Sequence, residues 1–519
     1  MHQRLGFVAA IAVLAFLVAC GQAPGIQLTL SSNDATVLRG ETITIDVTLG
    51  RSGGVQTVNL ALSGVPAGVT ASLTDDVLET GESSTTLTID VTPAATDGVA
   101  TLTVNAVGGG LAATSDVQLT VESLTVEGRL LDLLGNGFAG AQVEIQGSTT
   151  TTDATGTFTI SGVAVPYDLV TYVAAPFPAV HAFVGMTTAD PDVLSYAVLN
   201  NASYPEATVN GDLPAAVPAD HRAIVCVEGI TVAVYGCTRL SPTETTYGVD
   251  VNWAEGGTVD VRVHALLIEH DVDGLPVAYP GYATGTGSIT DGVPVAIHVG
   301  APVVPSTATL SATMNPPSGF TASQYAVVVE ASDMFSIPVV DVMPPPSASL
   351  SVPVPVFPSA TYGVFASARP GSGSASSNAW RFGLAAGSNT TFTLAAPPAL
   401  ASPADGAAGI GTGDTFALAS EPDGSVTFLA QSYPEITVAV TTMSSSAQIP
   451  DLAPFGAALP AASAYSLAAL VTPGVATSDD AAAHWIDEYY DAFLAISDGG
   501  PGASLGAIMA TDERTFTTP

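Results

Sequence analysis

The densest group of residues that could do chemistry in this 519-residue chain lies between positions 264 and 274. It contains His264 and the run Glu-His-Asp-Val-Asp-Gly at 269–274. Asp-x-Asp-Gly is how a calcium loop begins, because calcium prefers carboxylate and carbonyl oxygens, but the Glu that should close the loop is missing. We therefore name Asp271 and Asp273 as candidate calcium ligands, against the alternative of a solvated hairpin, and expect no other cofactor.

A second group of metal-ligating residue types lies between positions 479 and 491. His484 and Glu488 are four positions apart there, so a helix would place both on one face. A metal site and an exposed helix face both stay open for this group. The nearby pattern Gly-x-Ser-x-Gly at 502–506 matches a hydrolase nucleophile turn, which usually needs a later His. No His follows it, so we interpret the pattern as a glycine-rich turn and name no catalytic residue.

Aromatic side chains are the other route to binding, because sugar-binding sandwiches stack Trp or Tyr rings against pyranose faces. Trp253, Trp380 and Trp485 lie in three different predicted domains and form no platform visible in the sequence. Tyr279 and Tyr282 flank a Pro-Gly pair in a predicted loop. They are candidate ligand-binding residues for a polysaccharide, against the alternative of a β-turn with packed rings.

The first twenty residues have the composition of an export signal. Arg4 is followed by an apolar stretch, residues 5–19, that is too short to span a bilayer. The stretch ends in Leu-Val-Ala and is followed by Cys20, which resembles the lipobox of bacterial lipoproteins. That resemblance implies that Cys20 receives a diacylglycerol, that the chain is cut before it and that the new amino group is acylated. Gly21 favours the outer membrane or cell surface, and a plain signal peptide with a chance cysteine is the alternative.

Two other cysteines, Cys226 and Cys237, remain if Cys20 carries lipid. Outside the cytoplasm two such thiols oxidise readily. The residues between them are rich in β-branched types and include Glu228-Gly229 as a candidate turn. We predict a disulfide that joins two adjacent strands, against the alternative of two buried free thiols.

The charge balance excludes one class of partner. All ten basic residues are Arg, and they face 47 acidic residues, for a net charge of −37. Such a surface repels nucleic acid, so no nucleic-acid partner is expected. After residue 20 no apolar run is long enough to cross a bilayer. The predicted contact with the membrane is therefore the lipid anchor alone, and the other partners to consider are a polysaccharide or another surface protein.

The elements that must position these residues are β-strands. Residues 42–49, Thr-Ile-Thr-Ile-Asp-Val-Thr-Leu, alternate polar and apolar types, as do residues 86–92 and 101–107. This period of two predicts half-buried antiparallel strands. About six or seven such strands between 26 and 122, separated by Gly, Pro and Asp, predict an Ig-like β-sandwich.

The rest of the chain shows further sandwich-sized segments. Residues 123–202 place Gly128, Gly156 and Phe158 in a pattern that resembles the carboxypeptidase regulatory-like domain, an accessory β-sandwich without enzymatic activity. Two weakly matching segments follow. Val209 corresponds to Leu310, the residue pair 227–228 corresponds to 329–330, and Tyr247 corresponds to Tyr362. Residues 400–406, Leu-Ala-Ser-Pro-Ala-Asp-Gly, resemble the opening of many fibronectin type III domains. Residues 478–496 have helical spacing and Asp residues suited to an N-cap.

The sequence therefore predicts an all-β, multidomain string of antiparallel β-sandwiches with one short helix near the C-terminus. We expect it to be a surface-anchored, non-enzymatic lipoprotein that acts as a structural or adhesive stalk. A carbohydrate-binding surface lipoprotein is the alternative, and a hydrolase with an inter-domain site is the second alternative. The predicted segments are a signal peptide (1–19), the lipidated Cys and tether (20–25), the Ig-like sandwich (26–122), the carboxypeptidase regulatory-like sandwich (123–202), two sandwich repeats (203–300 and 301–396) and the fibronectin type III-like domain (397–519).

Overall fold

A computed structural model of the chain confirms the all-β prediction. It divides into two compact units after Leu124, and each is described by itself. No helix in the described part of the chain is long and apolar enough to cross a membrane. The structure describes residues 23–131, 137–174, 178–194, 205–232, 234–253, 257–332, 335–343, 345, 347–432, 436–482 and 505–519.

The first unit is a sandwich of two sheets. One sheet has the strand order β1-β3-β7-β5, and the other has the order β2-β9-β8-β4-β6, in which β2 and β9 are parallel. The strands are β1 (Gly25–Leu30), β2 (Asp34–Leu38), β3 (Thr42–Ser52), β4 (Val58–Ser63), β5 (Val69–Leu73), β6 (Val77–Leu78), β7 (Ser84–Val91), β8 (Gly98–Gly108) and β9 (Leu111–Glu122).

Strand β3 shows why this sequence forms a sandwich. Its side chains at Ile45, Val47 and Leu49 are buried in the core between the sheets, and the polar residues between them face solvent. Each fully buried aliphatic side chain contributes roughly 1.5–3 kcal/mol relative to an exposed one. Shifting the register by one residue would expose this whole set, so the alternation fixes the register.

The described residues at the beginning of the second unit form seven strands, and the turn at Asp153 is held by that side chain. Asp153 Oδ1 accepts hydrogen bonds from the Thr155 hydroxyl at 2.7 Å and from the N–H groups of Thr157 and Thr155 at 2.9 and 2.8 Å, and these bonds lower the pKa of Asp153. Phe158 is buried in the core. The strands are β10 (Leu124–Leu131), β11 (Gln142–Ile145), β12 (Ser148–Thr151), β13 (Thr157–Val163), β14 (Tyr167–Val173), β15 (Ala179–Met186) and β16 (Asp192–Leu194).

Two further segments of seven strands each follow, and they share most of their strand pairing. The first has β17 (Glu206–Asp212), β18 (His221–Gly229), β19 (Val234–Leu240), β20 (Thr246–Trp253), β21 (Thr258–His270), β22 (Pro276–Thr290) and β23 (Val295–Ala296). The second has β24 (Ser306–Asn315), β25 (Phe320–Ser332), β26 (Phe335–Val342), β27 (Ser349–Val356), β28 (Thr361–Pro370), β29 (Ser376–Leu384) and β30 (Asn389–Thr393). In each, the first strand pairs with the fourth strand and, in parallel, with the last.

This shared pairing corrects one part of the sequence match between the two segments. Val209 and Leu310 both lie in a first strand, β17 and β24. Tyr247 lies in the fourth strand, β20, whereas Tyr362 lies in the fifth strand, β28. The two tyrosines therefore do not occupy equivalent places, although each donates a hydrogen bond to a backbone carbonyl.

The described part of the C-terminal segment has nine strands, one 3-10 helix and a short helical stretch. The strands are β31 (Leu400–Ser402), β32 (Ala407–Ala408), β33 (Thr415–Leu418), β34 (Gly424–Ser432), β35 (Ile436–Thr442), β36 (Ser446–Gln448), β37 (Ala464–Pro473), β38 (Leu505–Ala510) and β39 (Arg514–Thr517), and the 3-10 helix is η1 (Ala453–Phe455). Residues 478–482 are helical. Thr477 rather than an Asp caps this helix, because Thr477 Oγ1 accepts the Asp480 N–H at 3.0 Å.

One 14-stranded sheet joins strands from three of the predicted sandwich segments. Strand β15 pairs in parallel with β35, and β29 pairs antiparallel with β38. Gly506, which we predicted to lie in a turn, lies in β38, where a larger side chain would collide with the Trp380 ring. These two pairings join strands of neighbouring segments into one ladder, so these particular strands are not exposed edges. The division of this unit into four domains stays a prediction.

Candidate functional site

Several predicted site residues lie outside the described part of the chain. They are Cys20 with its signal peptide and the start of the tether, the helix residues from His484 to Asp491, Trp485 and Ser504. Their predicted roles stay predictions.

Cys226 and Cys237 occupy facing positions on β18 and β19. Their sulfurs are joined by a disulfide, with an S–S distance of 2.05 Å. Cys226 is buried in a core that includes Leu310 and Phe335 of the next sandwich segment. Glu228 and Gly229, which we predicted to form a turn, belong to β18 itself.

Asp271 and Asp273 lie in the turn that connects β21 to β22. Asp271 Oδ1 accepts the N–H groups of Asp273 and Leu275, at 3.0 and 2.9 Å. One carboxylate oxygen of Asp271 is therefore used to hold the turn. Within the described residues no three His, Cys, Asp or Glu side chains come together as a metal site. Calcium binding at this turn stays a prediction.

Tyr279 and Tyr282 lie inside strand β22, so the predicted loop is wrong. Tyr279 is 2% exposed and donates a hydrogen bond to the carbonyl oxygen of Pro353 at 3.0 Å. The Tyr282 ring lies 4.4 Å from the ring of Phe357, measured between centroids. Residues 276–290 pair with β21, and the register of this hairpin shifts between Ala278 and Gly281, where Tyr279 and Pro280 lie. Tyr279 therefore has no free ring face for a ligand.

The structure brings together three polar side chains that lie far apart in sequence. His264 Nε2 lies 3.0 Å from Glu228 Oε2, and His264 Nδ1 lies 2.8 Å from the Tyr282 hydroxyl. Glu228 is 6% exposed and His264 is 3% exposed. Arg262 Nη1 also donates to Glu228 Oε2, at 3.1 Å. We call Glu228, His264 and Tyr282 the buried network.

The buried network lies where two sandwich segments pack together. Glu228 and His264 share a face of β18 and β21 with apolar residues such as Leu266, and this face packs against the β25–β26 sheet. The imidazole of His264 stacks on Phe335, with 4.9 Å between ring centroids. A substrate cannot reach the imidazole without displacing these neighbours, so the arrangement links two segments rather than opening to a substrate.

The electrostatics of the buried network follow from burial and hydrogen bonding. Burial alone would raise the pKa of Glu228, but hydrogen bonds from His264 and Ser332 and the charges of His264 and Arg262 bring the pKa below its ordinary value. Burial raises the pKa of Tyr282 to about 12, so its hydroxyl keeps its proton at neutral pH. Glu228 is therefore ionised, and Tyr282 is neutral.

Sequence analysis found His264 and Tyr282 but missed their partner Glu228. One signal was present, because Glu228 follows the run Ala-Ile-Val-Cys-Val, which is typical of a buried strand. A carboxylate in such a run requires a hydrogen-bonding partner. The sequence could not identify that partner, because His264 lies 36 positions away.

A second place where segments meet is an open cleft of about 1110 Å³. It lies between the face of β14 and β15, with Val170, Ala182 and Val184, and the edge strand β36. Three carboxylates line it: Glu144, Asp168 and Asp451. Clefts of this size at the junction of two segments are a common location for binding sites.

The fold and these two junctions define the chain as a multidomain β-sandwich protein. No known protein family matches the sequence, and no curated protein matches it. Domains 4 and 5 of the S-layer protein SbsC are similar at 23% identity over 19% of this chain and 53% of that one, with a TM-score of 0.16. This chain thus spans about half of that protein fragment.

Two more solved structures are similar over a larger part of this chain. The Bacillus anthracis TIE protein is similar at 9% identity, over 71% of this chain and 75% of that one, with a TM-score of 0.21. The pilus adhesin SpaC from Lactobacillus rhamnosus GG, in its open conformation, is similar at 10% identity over 77% of this chain and 56% of that one, with a TM-score of 0.16.

Proposed function

We propose that this chain is a lipid-anchored, non-enzymatic surface protein whose β-sandwiches serve as a structural and adhesive stalk. The observation that carries the proposal is the pairing of β15 with β35 and of β29 with β38. These hydrogen-bonded ladders join sandwich segments within the second unit, and such continuity suits a protein that bears mechanical load. The disulfide between Cys226 and Cys237 adds a covalent link between two strands.

The anchor in this proposal is Cys20, with the mature chain held at the outer membrane or cell surface. Two or three acyl chains would hold it firmly, since each buried methylene contributes roughly 0.8 kcal/mol. The resemblance of Leu-Val-Ala-Cys at 17–20 to a lipobox supports this part. The domain types suggested by sequence resemblance belong to the same proposal.

The two alternatives are less well supported. A carbohydrate-binding protein needs exposed rings, but Trp253 and Trp380 are 1% and 2% exposed, and Tyr279 is equally buried. A hydrolase with an inter-domain site needs a His and carboxylates that converge on an accessible pocket, but His264, which lies beside Glu228 at the segment junction, is packed against Phe335. The adhesive function is therefore the one that the described residues favour.

The substitution Cys20→Ser tests the anchor. We expect the wild-type protein to enter the detergent phase on partitioning with a nonionic detergent and the serine variant to stay in the aqueous phase, because serine lacks the thiol that carries the lipid. Gly21→Ala is the matched control, since it changes the neighbouring residue and keeps the thiol. Equal detergent partitioning of the serine variant and wild type, or a mature N-terminus without fatty acid by mass spectrometry, would refute the anchor.

A further inference from the structure

We propose that the cleft beside β36 binds an extended, basic peptide segment of a partner protein, which adds to β36 as a further strand. This inference refines the adhesive part of the proposed function by naming a class of partner. It does not depend on the lipid anchor, because the cleft belongs to the second unit and can be tested with the mature chain in solution.

The backbone of β36 is the first argument. Strand β36 is the edge of the three-stranded sheet β31-β33-β36. The Leu418 N–H donates to the Ser445 carbonyl, and the Ile449 N–H donates to the Asp414 carbonyl, so Ser445 and Ile449 direct these groups toward β33. By the alternation of an antiparallel ladder, Ser446 and Gln448 direct their N–H and C=O groups away from it. Within the described residues no other strand pairs with this side of β36.

The floor of the cleft is the second argument. The large sheet continues past the edge of β36 through β35, β15 and β14. Val170 and Ala182 belong to the same core as the small sheet, and Val184 packs at its margin. Val170 and Ala182 are already buried, so the half-buried Val184 is the apolar side chain against which an added strand would bury its alternate residues. This is the geometry by which extended peptides extend a sheet in other recognition domains.

Charge is the third argument, and it selects the occupant. The side chains of Asp168 and Asp451 are exposed, and each has one oxygen fixed by a backbone N–H, from Gly185 at 2.9 Å and from Ala453 at 3.0 Å. The other oxygen of each is left for a ligand. Glu144 is held in the same way by the Gly147 N–H. No Arg or His residue of the described chain lines the cleft, so a Lys- or Arg-bearing segment is complementary to it.

The same observations favour a peptide over a polysaccharide. The aromatic residue that lines the cleft is Tyr167, which is buried and donates its hydroxyl proton to the Thr188 carbonyl at 2.7 Å. A sugar ring would find no exposed aromatic face among the described residues there, whereas an extended peptide would find both a backbone edge and fixed carboxylates. We therefore argue for the peptide and treat glycan binding as an outcome that would overturn the proposal.

The backbone of β36 can be tested by one pair of variants. The probe is a fluorescein-labelled peptide of about ten alternating Val and Lys residues, long enough for a typical strand, with saturation followed by fluorescence anisotropy. Gln448→Pro removes the N–H that faces the cleft, and Pro is tolerated at such an edge position. The matched control Gln448→Ala keeps the N–H. We expect Gln448→Pro to bind about fivefold or more weakly than Gln448→Ala, as the loss of one hydrogen bond implies.

The charges of the cleft can be tested separately. In the double variant Asp168→Asn/Asp451→Asn the amide oxygens can still accept the backbone N–H groups, so the loops keep their hydrogen bonds. We expect about fivefold weaker probe binding and a smaller dependence on salt. The matched control is Asp75→Asn/Asp76→Asn, a pair of exposed carboxylates in the first unit. That control should bind the probe within about twofold of wild type.

Four results would overturn the proposal. They are the absence of saturable probe binding to a folded wild-type chain, equal binding by Gln448→Pro and Gln448→Ala, equal binding by the cleft and control double variants, and displacement of the probe by a neutral polysaccharide but not by unlabelled peptide. Circular dichroism of each variant establishes that it is folded. None of these results bears on the Cys20→Ser fractionation, so failure of the peptide site and failure of the lipid anchor are distinguishable.

Discussion

The two junctions within the second unit use carboxylates in opposite ways. We call the junction that contains the buried network the closed junction. There Glu228 is buried, and its carboxylate is paired with His264 and Arg262. At the open cleft Asp168 and Asp451 are exposed, and backbone N–H groups fix them in place. A buried charge must be satisfied by the protein itself, whereas an exposed one can serve a ligand. The difference teaches that the surroundings of an acidic residue, rather than its type, decide its role.

The largest expected effect is at the closed junction. Glu228→Ala removes the acceptor of His264 Nε2 and leaves the imidazole in an apolar interface. We expect the free energy of unfolding to fall by about 3–5 kcal/mol, the cost of breaking a buried pair by removing one partner. Urea unfolding measures it. The matched change at the cleft, Asp168→Ala, should cost less than about 1 kcal/mol. Equal losses in the free energy of unfolding for Glu228→Ala and Asp168→Ala would remove the distinction between the two junctions.

A smaller effect is expected from the phenol of the buried network. Tyr282→Phe keeps the ring that packs on Phe357 and removes the hydroxyl that lies 2.8 Å from His264 Nδ1. We expect a loss of about 1–2 kcal/mol in the free energy of unfolding, because a buried imidazole nitrogen loses its partner. Thermal unfolding followed by circular dichroism measures the loss. Tyr279→Phe is the control, because it removes a hydrogen bond to a backbone carbonyl instead. A Tyr282→Phe variant as stable as wild type would show that the Tyr282 hydroxyl is not needed.

The smallest effect is a pH dependence confined to the closed junction. The pKa of Glu228 in the folded chain lies below its ordinary value of 4.5, and Arg262, His264 and Tyr282 are the charged and titratable groups that face it. The ionised carboxylate therefore contributes stability that is fully present above pH 4.5 and is lost as the pH falls through the folded pKa.

We expect the stability difference between wild type and Glu228→Gln to shrink as the pH is lowered from about 5 to about 3, measured by urea unfolding. The corresponding difference for Asp168→Asn should stay small throughout. A Glu228→Gln difference that grows over this range would show that the sign of the pKa shift is wrong.

Strands and turns were predicted from local residues. The prediction succeeded where the local pattern decides the structure and failed where pairing with a distant strand decides it. Strand β3 was predicted from its alternation, since every buried position is two residues from the next. The loop predicted at Tyr279-Pro-Gly-Tyr282 was wrong, because those residues lie within strand β22 of the long hairpin with β21. A Pro-Gly step is locally compatible with a turn, and only the long hairpin overrides it.

What the sequence by itself determined is the all-β fold and the acidic surface, because a period of two and a count of charges are properties of the chain read in order. What only the tertiary structure decided is which parts of the chain meet. Strand β15 pairs with β35, Glu228 pairs with His264, and β36 lies beside the open cleft. Alternation says which side of a strand is buried, but it does not say against what. That choice depends on packing between residues tens to hundreds of positions apart.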